Sequence, residues 1–151
     1  MFNFAPMKKL VYSLFFFLSK HPIRYLIIWF FVILGLCSMP GQYIPSTDFF
    51  ELLKFDKWVH AGIFYVLMLL CLNLIYKNNL SNVYIYLFLL LCIIYGGLLE
   101  IMQAKLFSNR SADVLDFIAN SFGCIVSFIF HFLYLKKQTP KWDFLNKLST
   151  K

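Results

Sequence analysis

The chain has 151 residues, of which 61% are hydrophobic and only 14% charged, with a mean hydropathy of +0.73. A water-soluble domain of this size must cover itself with more polar surface, so the composition predicts lipid as the solvent for most of the chain. The formal charge of +7 does not indicate a nucleic-acid partner, because the basic residues stand at the ends of apolar segments, where membrane topology accounts for them.

In chain order, the first apolar run is Leu10–Leu18, too short to span a bilayer. Lys8 and Lys9 precede it, as they would a signal peptide, but Lys20, His21, Pro22 and Arg24 follow in place of a small-residue cleavage site. The segment reads as an interfacial helix on the cytoplasmic face, with an uncleaved short anchor as the alternative. Four spanning windows come next, at about 23–39, 58–76, 83–103 and 112–135, the first closed by Pro40-Gly41. The expected fold is therefore an all-α membrane protein, a four-transmembrane-helix bundle with an N-terminal interfacial helix. Residues 1–22 form the N-terminal segment, 23–135 the bundle and 136–151 a basic tail. Cys37, Cys71, Cys92 and Cys124 each lie in a separate apolar run and read as small packing residues.

With four spans, ten of the fourteen basic residues fall on one side: Lys8, Lys9, Lys20, Arg24, Lys77, Lys136, Lys137, Lys141, Lys147 and Lys151. The positive-inside rule makes that side cytoplasmic, together with both termini, in a multi-pass protein of the cell (cytoplasmic) membrane. The acids are skewed the other way. Asp48, Glu51, Asp56, Glu100, Asp113 and Asp116 lie in the outer connections or outer helix ends, and only Asp143 lies inside.

Depth brings several of these residues into one layer. At 1.5 Å per residue, His60 stands roughly 24 Å, Glu100 roughly 26 Å and Asp116 roughly 28 Å from the cytoplasmic ends of their helices, with Asn120 at about 22 Å. Facing agrees with depth. Asp56 and His60 are four apart, Glu100 and Gln103 three apart, and Asp113, Asp116 and Asn120 stand at i, i+3 and i+7. Ionisable groups at such depth are costly unless they pair, bind a cation or line a wet cavity. The bland reading is a polar network in which Lys57, Lys105 and Arg110 pair with the acids and hold the helices together. Trp58 reads as an interface anchor, Gly96, Gly97 and Gly123 as sites of close helix approach, and Ser111 as the cap of the fourth helix.

Two stretches carry a family resemblance. Asp56-Lys57-Trp58-Val59-His60 with Phe64 resembles the second-helix motif of the VanZ-like membrane family. Gly96, Glu100 and Gln103, followed by Arg110, Asp113, Asp116, Asn120 and Gly123, resemble its third and fourth helices. The likeness covers about residues 56–123 and leaves out the N-terminal segment and the basic tail. It implies a bacterial cell-envelope protein in a family named for teicoplanin (glycopeptide) resistance, and it supplies a setting more firmly than a reaction.

The candidate ligand-binding residues are Glu100, Arg110, Asp116 and Asn120, then Asp113, Gln103, His60, Lys57 and Asp56. The favoured function is recognition of a polar head group, a lipid-linked envelope precursor or a glycopeptide in an outward-facing pocket, with membrane lipids as the surrounding partners. Arg110 and Lys57 would hold phosphate or carboxylate; Glu100, Asp113 and Asp116 would hold an amine or a metal. The alternative is a metal-dependent intramembrane hydrolase or transferase acting on a lipid-linked phosphate, with Glu100, Asp116 and His60 around a divalent cation. No nucleophile, phosphate-binding Gly-rich loop or His-Glu-x-x-His pattern is present, which favours binding over catalysis. Proton or solute transport fits less well, because the ionisable groups stop near the outer end.

Overall fold

A computed structural model describes residues 17–18, 20–38, 55–106, 112–130 and 133. These residues form four helices and no strand: α1 (Pro22–Cys37), α2 (Phe55–Lys77), α3 (Val83–Leu106) and α4 (Val114–Phe130). Two of them, α2 and α3, are long and apolar enough to cross a membrane, while α1 and α4 are shorter apolar helices of 16 and 17 residues. Most of the expected interfacial helix, the Pro40-Gly41 pair that closes the first window, Arg110, Ser111 and the basic tail lie outside the described residues.

Local chemistry sets the helix ends. Pro22 opens α1 at a first-turn position, where its missing N–H costs nothing and its fixed φ suits the helix. Ser38 closes α1, its N–H donating to Leu34 O at 3.0 Å and its hydroxyl to Gly35 O at 2.9 Å. The end of α2 is a Schellman motif. Asn79 takes the left-handed conformation (φ 51°), its N–H donates to Tyr76 O at 3.2 Å, and the Leu80 N–H reaches Ile75 O at 3.0 Å. Asparagine tolerates this conformation better than other residues with a side chain, glycine being the usual occupant. The short turn that follows makes α2 and α3 antiparallel neighbours.

The expected start of the second helix, at Trp58, is three residues late. Helix α2 begins at Phe55, which places Asp56 and Lys57 in its first turn, and α3 runs on to Leu106. The expected cap of the fourth helix is also corrected. Asp113 immediately precedes α4, its Oδ1 accepts the Leu115 N–H at 2.8 Å, and its carbonyl accepts from Asp116 and Phe117. A carboxylate one residue before the helix fills the capping position, and Ser111 lies outside the described residues.

Helix α2 is the hub. It packs on α1, α3 and, most extensively, α4. Its buried face carries Phe64, Leu67, Met68, Cys71, Leu72 and Ile75, and these meet Ile33 of α1, Ile85, Cys92 and Leu99 of α3 and Cys124 of α4. All four cysteines are free and buried. The tight α2–α4 contact depends on Gly123, where a Cβ would overlap the Ala61 carbonyl and lie 3.0 Å from the Tyr65 nitrogen. Gly96 has a similar role toward α4, since a Cβ there would press on Asn120 Cβ at 3.1 Å. Helix α1 is tied on by Trp29 Nε1–H donating to Ile63 O (2.9 Å), by the Tyr95 hydroxyl donating to Phe30 O (3.0 Å), and by Phe30 stacking on Tyr95.

The helix directions give the bundle two chemically different ends. One collects the α1 C-terminus, the α2 N-terminus, the α3 C-terminus and the α4 N-terminus, and Gln103, Lys57 and Asp113 cross between helices there. At the other end the start of α1 lies beside the end of α2. Between them, α3 turns Tyr86, Leu87, Leu90, Leu91, Ile94 and Leu98 outward.

Candidate functional site

At the first of these ends, polar side chains from three helices meet. Lys57 projects from the first turn of α2 into a ring of carboxylates. Its ammonium lies 2.5 Å from Asp113 Oδ2, 2.5 Å from Asp116 Oδ1 and 3.0 Å from Asp56 Oδ2. Asp113 and Asp116 reach the same cation because they stand three apart at the start of α4. Their negative charge is also favoured there by the unpaired N–H groups of the helix N-terminus.

One turn deeper, His60 bridges α2 to α4. Its Nδ1 lies 3.1 Å from Asn120 Oδ1, with the imidazole N–H as donor because an amide oxygen can only accept. Its Nε2 stands 3.8 Å from Asp116 Oδ2. Asp116 thus lies between Lys57 and His60, one carboxylate oxygen toward each. Its i+4 relation to Asn120, and that of Asp56 to His60, put both pairs on the facing sides of α4 and α2.

Helix α3 supplies Glu100 and Gln103. Glu100 Oε2 accepts the backbone N–H of Asp113 at 3.2 Å, pinning the entry to α4, and Gln103 Nε2 donates to Cys37 O at 3.1 Å, closing the end of α1. Each has another polar atom, Oε1, with different surroundings. Glu100 Oε1, Gln103 Oε1 and Asn120 Nδ2 are all buried and have no hydrogen-bond partner among the described residues. The residues themselves are buried, Glu100 to 6% exposure and Asn120 fully. A buried polar atom left unpaired costs about 1–3 kcal/mol, so three in one layer need a reason.

The sequence-derived candidates therefore divide. Asp56, Lys57, His60, Glu100, Asp113, Asp116 and Asn120 form one connected group, and Gln103 lies beside it against α1. Arg110 lies outside the described residues. The expectation that Lys105 pairs with the acids is not met, since Lys105 is exposed and has no ion pair among the described residues. Nor is Lys57 a free phosphate ligand, because three carboxylates already surround its ammonium. As a metal-ligand set, Glu100, Asp116 and His60 do not converge: among the described residues no group of three His, Cys, Asp or Glu side chains is placed to hold an ion.

Two contributors were not anticipated. The Cys37 carbonyl, an α1 C-terminal acceptor, is the partner of Gln103. Ser127 is fully buried one turn below Gly123, its hydroxyl without a partner among the described residues. Ser127 follows Asn120 by seven residues, so helical spacing alone would have placed both on one face.

Among the described residues the group holds four carboxylates and one ammonium. It presents buried acceptors to any donor that enters from the helix ends. A protonated amine or a hydroxyl-bearing head group matches this set; a bare phosphate does not. A scan against protein-family models, a search of curated proteins and a search of solved structures found no match to this chain.

Proposed function

We propose that the chain is a VanZ-like integral membrane protein of the bacterial cell envelope, spanning the cytoplasmic membrane four times with both termini inside. Its function is to bind a polar head group, a lipid-linked envelope precursor or a glycopeptide at the acid-rich outer end of the bundle. The inverted distribution of side chains supports the membrane setting. Glu100, Gln103, Asp116, Asn120 and Ser127 are buried, whereas Phe31, Tyr86, Leu90, Leu98, Ile118 and Phe122 are each more than half exposed or close to it, the pattern expected when lipid is outside. The acids collect at one end and Lys20, Arg24 and Lys77 at the other, which supports the orientation.

The observation that supports the binding function is the buried Glu100 Oε1, without a hydrogen-bond partner among the described residues, beside the carboxylates of Asp113 and Asp116. A ligand amine or hydroxyl donating to it would satisfy an acceptor that the described residues leave open. Because Lys57 is already surrounded, the ligand part recognised here is a hydrogen-bond donor, preferably cationic. Phosphate or carboxylate elsewhere in the same ligand would fall to Arg110.

The test is thermal unfolding of the purified protein in nanodiscs, titrated with phosphatidylethanolamine, lipid-linked precursors, polyprenyl phosphates, teicoplanin and Mg²⁺, Ca²⁺, Mn²⁺ or Zn²⁺. A specific ligand at about 100 times its Kd stabilises the folded state by about 2.7 kcal/mol. The ligand that raises the midpoint should carry an amine or hydroxyl donor. Glu100→Gln, which retains an acceptor for the Asp113 N–H, should insert and fold yet bind that ligand roughly tenfold or more weakly, because a charge-assisted bond is lost. Full affinity in both Glu100→Gln and Asp116→Asn would reduce the cluster to a polar network that keeps the helices in register.

A further inference from the structure

At the opposite end of the bundle a cavity of about 630 Å³ opens between the start of α1 and the end of α2. Among the described residues its polar lining is formed by Lys20, Arg24 and Lys77, with His21 and Asn78 beside them and no carboxylate. None of these bases forms an ion pair among the described residues. The contrast with Lys57, which shares three carboxylates, is marked. The remaining wall is apolar, formed by Ile23, Ile27 and Ile28, each more than half exposed.

The order of these residues along α1 matters. Lys20 and Arg24 are four apart and lie toward the helix start, while Ile27 and Ile28 follow roughly 5–6 Å further along the axis. Polar and apolar linings are thus stacked along the membrane normal, charge at the interface and aliphatic surface one turn deeper. The first turn of α1 adds no acid, and His21 makes no side-chain cap, so the partial positive charge of the helix end is not offset there. A free phosphate would use the bases alone. A phospholipid uses both layers, phosphate on the bases and the first acyl carbons on the isoleucines.

We propose that this cavity is a binding site for an anionic phospholipid of the cytoplasmic leaflet, its phosphate held by Lys20, Arg24 and Lys77 and its acyl chain laid along Ile23, Ile27 and Ile28. The site rests on the membrane-spanning arrangement but is independent of whatever binds the acidic end. It differs from a diffuse attraction of basic residues to the leaflet in being a concave site shared by two helices. Occupancy also joins the start of α1 to the α2–α3 turn, where the only direct ties described for α1 lie further along the helix at Trp29, Phe30 and Cys37.

The experiment is native mass spectrometry of the full-length protein released from detergent micelles, with phosphatidylglycerol, phosphatidylcholine or inorganic phosphate added. Wild type should retain phosphatidylglycerol in preference to phosphatidylcholine. Each Lys or Arg near an anionic head group is worth about fivefold in affinity, so Arg24→Gln/Lys77→Gln should reduce retention about thirtyfold. Lys77→Arg, which keeps the charge, should retain the lipid. Lys136→Gln/Lys137→Gln, which removes as much charge from the basic tail, should leave retention unchanged. Equal retention by wild type and Arg24→Gln/Lys77→Gln would overturn the site, as would the same loss from the tail variant. Competition by inorganic phosphate at concentrations comparable with the lipid would also overturn it, since the acyl contact would then contribute nothing. A failure to find any ligand for Glu100 would leave these outcomes untouched, so the two assignments fail separately.

Discussion

Gly123→Ala is expected to lower the unfolding free energy by about 3 kcal/mol, at the upper end of the usual overpacking cost. The added methyl group has no room: it would overlap the Ala61 carbonyl oxygen and lie 2.9 Å from the Ala61 carbonyl carbon and 3.0 Å from the Tyr65 nitrogen. All three are backbone atoms of α2, which cannot rotate away as a side chain would. Relief requires α4 to move off α2, and that is the most extensive contact in the bundle. The same shift would separate His60 from Asn120 and Lys57 from Asp116, so ligand binding at the acidic end should fall together with stability. Gly35 and Gly62 supply the internal control, since a Cβ at either meets nothing within 4 Å. Gly35→Ala and Gly62→Ala should therefore leave the midpoint unchanged or slightly raised. Equilibrium unfolding in mixed micelles, monitored by tryptophan fluorescence, measures all three.

Lys57→Met is expected to destabilise by about 2–3 kcal/mol, because it removes the only described cation from among three carboxylates. The value lies below that of a fully buried pair, since Asp113 and Asp56 are 40% and 55% exposed and water screens part of their repulsion. Asp116, at 8% side-chain exposure, bears most of the loss. A double-mutant cycle separates this pairing from simple packing. Adding Asp116→Asn to Lys57→Met should restore at least about 1 kcal/mol, because the second change removes the charge that the first left uncompensated. Additive losses would mean that Lys57 contributes through its aliphatic stem alone. The result bears on function as well: a lysine whose removal exposes this repulsion is committed to the protein's own acids and is not available to a ligand phosphate.

Much of this arrangement was legible in the sequence because it follows from periodicity. The spacings of Asp56 to His60 and of Asp113 to Asp116 and Asn120 fix shared helix faces, and the depth of Glu100 follows from counting residues along α3. The four helices among the described residues lie where the apolar windows placed them, with shifts at the ends. The shift at the start of α2 arises because an apolar window leaves out the charged residues that precede Trp58, whereas a backbone helix continues if its polar side chains find partners. Asp56 and Lys57 extend α2 beyond its apolar run because they pair with each other and with α4. The capping residue of α4 was misplaced by two positions, since Ser and Asp both suit an N-cap and only the path of the chain selects between them. Pairing was less legible than position. Lys57, Lys105 and Arg110 are equivalent in a sequence count, yet the α2–α4 approach permitted by Gly123 brings only Lys57, of the two that are described, among the acids. The surroundings of Glu100 Oε1 and Gln103 Oε1 could not be anticipated either, because spacing places a side chain on a helix face but does not say which of its polar atoms meets a neighbouring helix.

Single cysteines introduced at the two ends test the transmembrane arrangement most directly, because the native cysteines are all buried and leave little background. Ala112 lies exposed at the acidic end and Ser81 exposed in the α2–α3 turn at the opposite end. A membrane-impermeant maleimide applied to intact cells should label the Ala112→Cys variant and should reach the Ser81→Cys variant only after permeabilisation. Labelling of Ser81→Cys alone in intact cells would invert the bundle and put the acidic cluster in the cytoplasm, and equal labelling of both in intact cells would show that α2 and α3 do not cross the membrane as described.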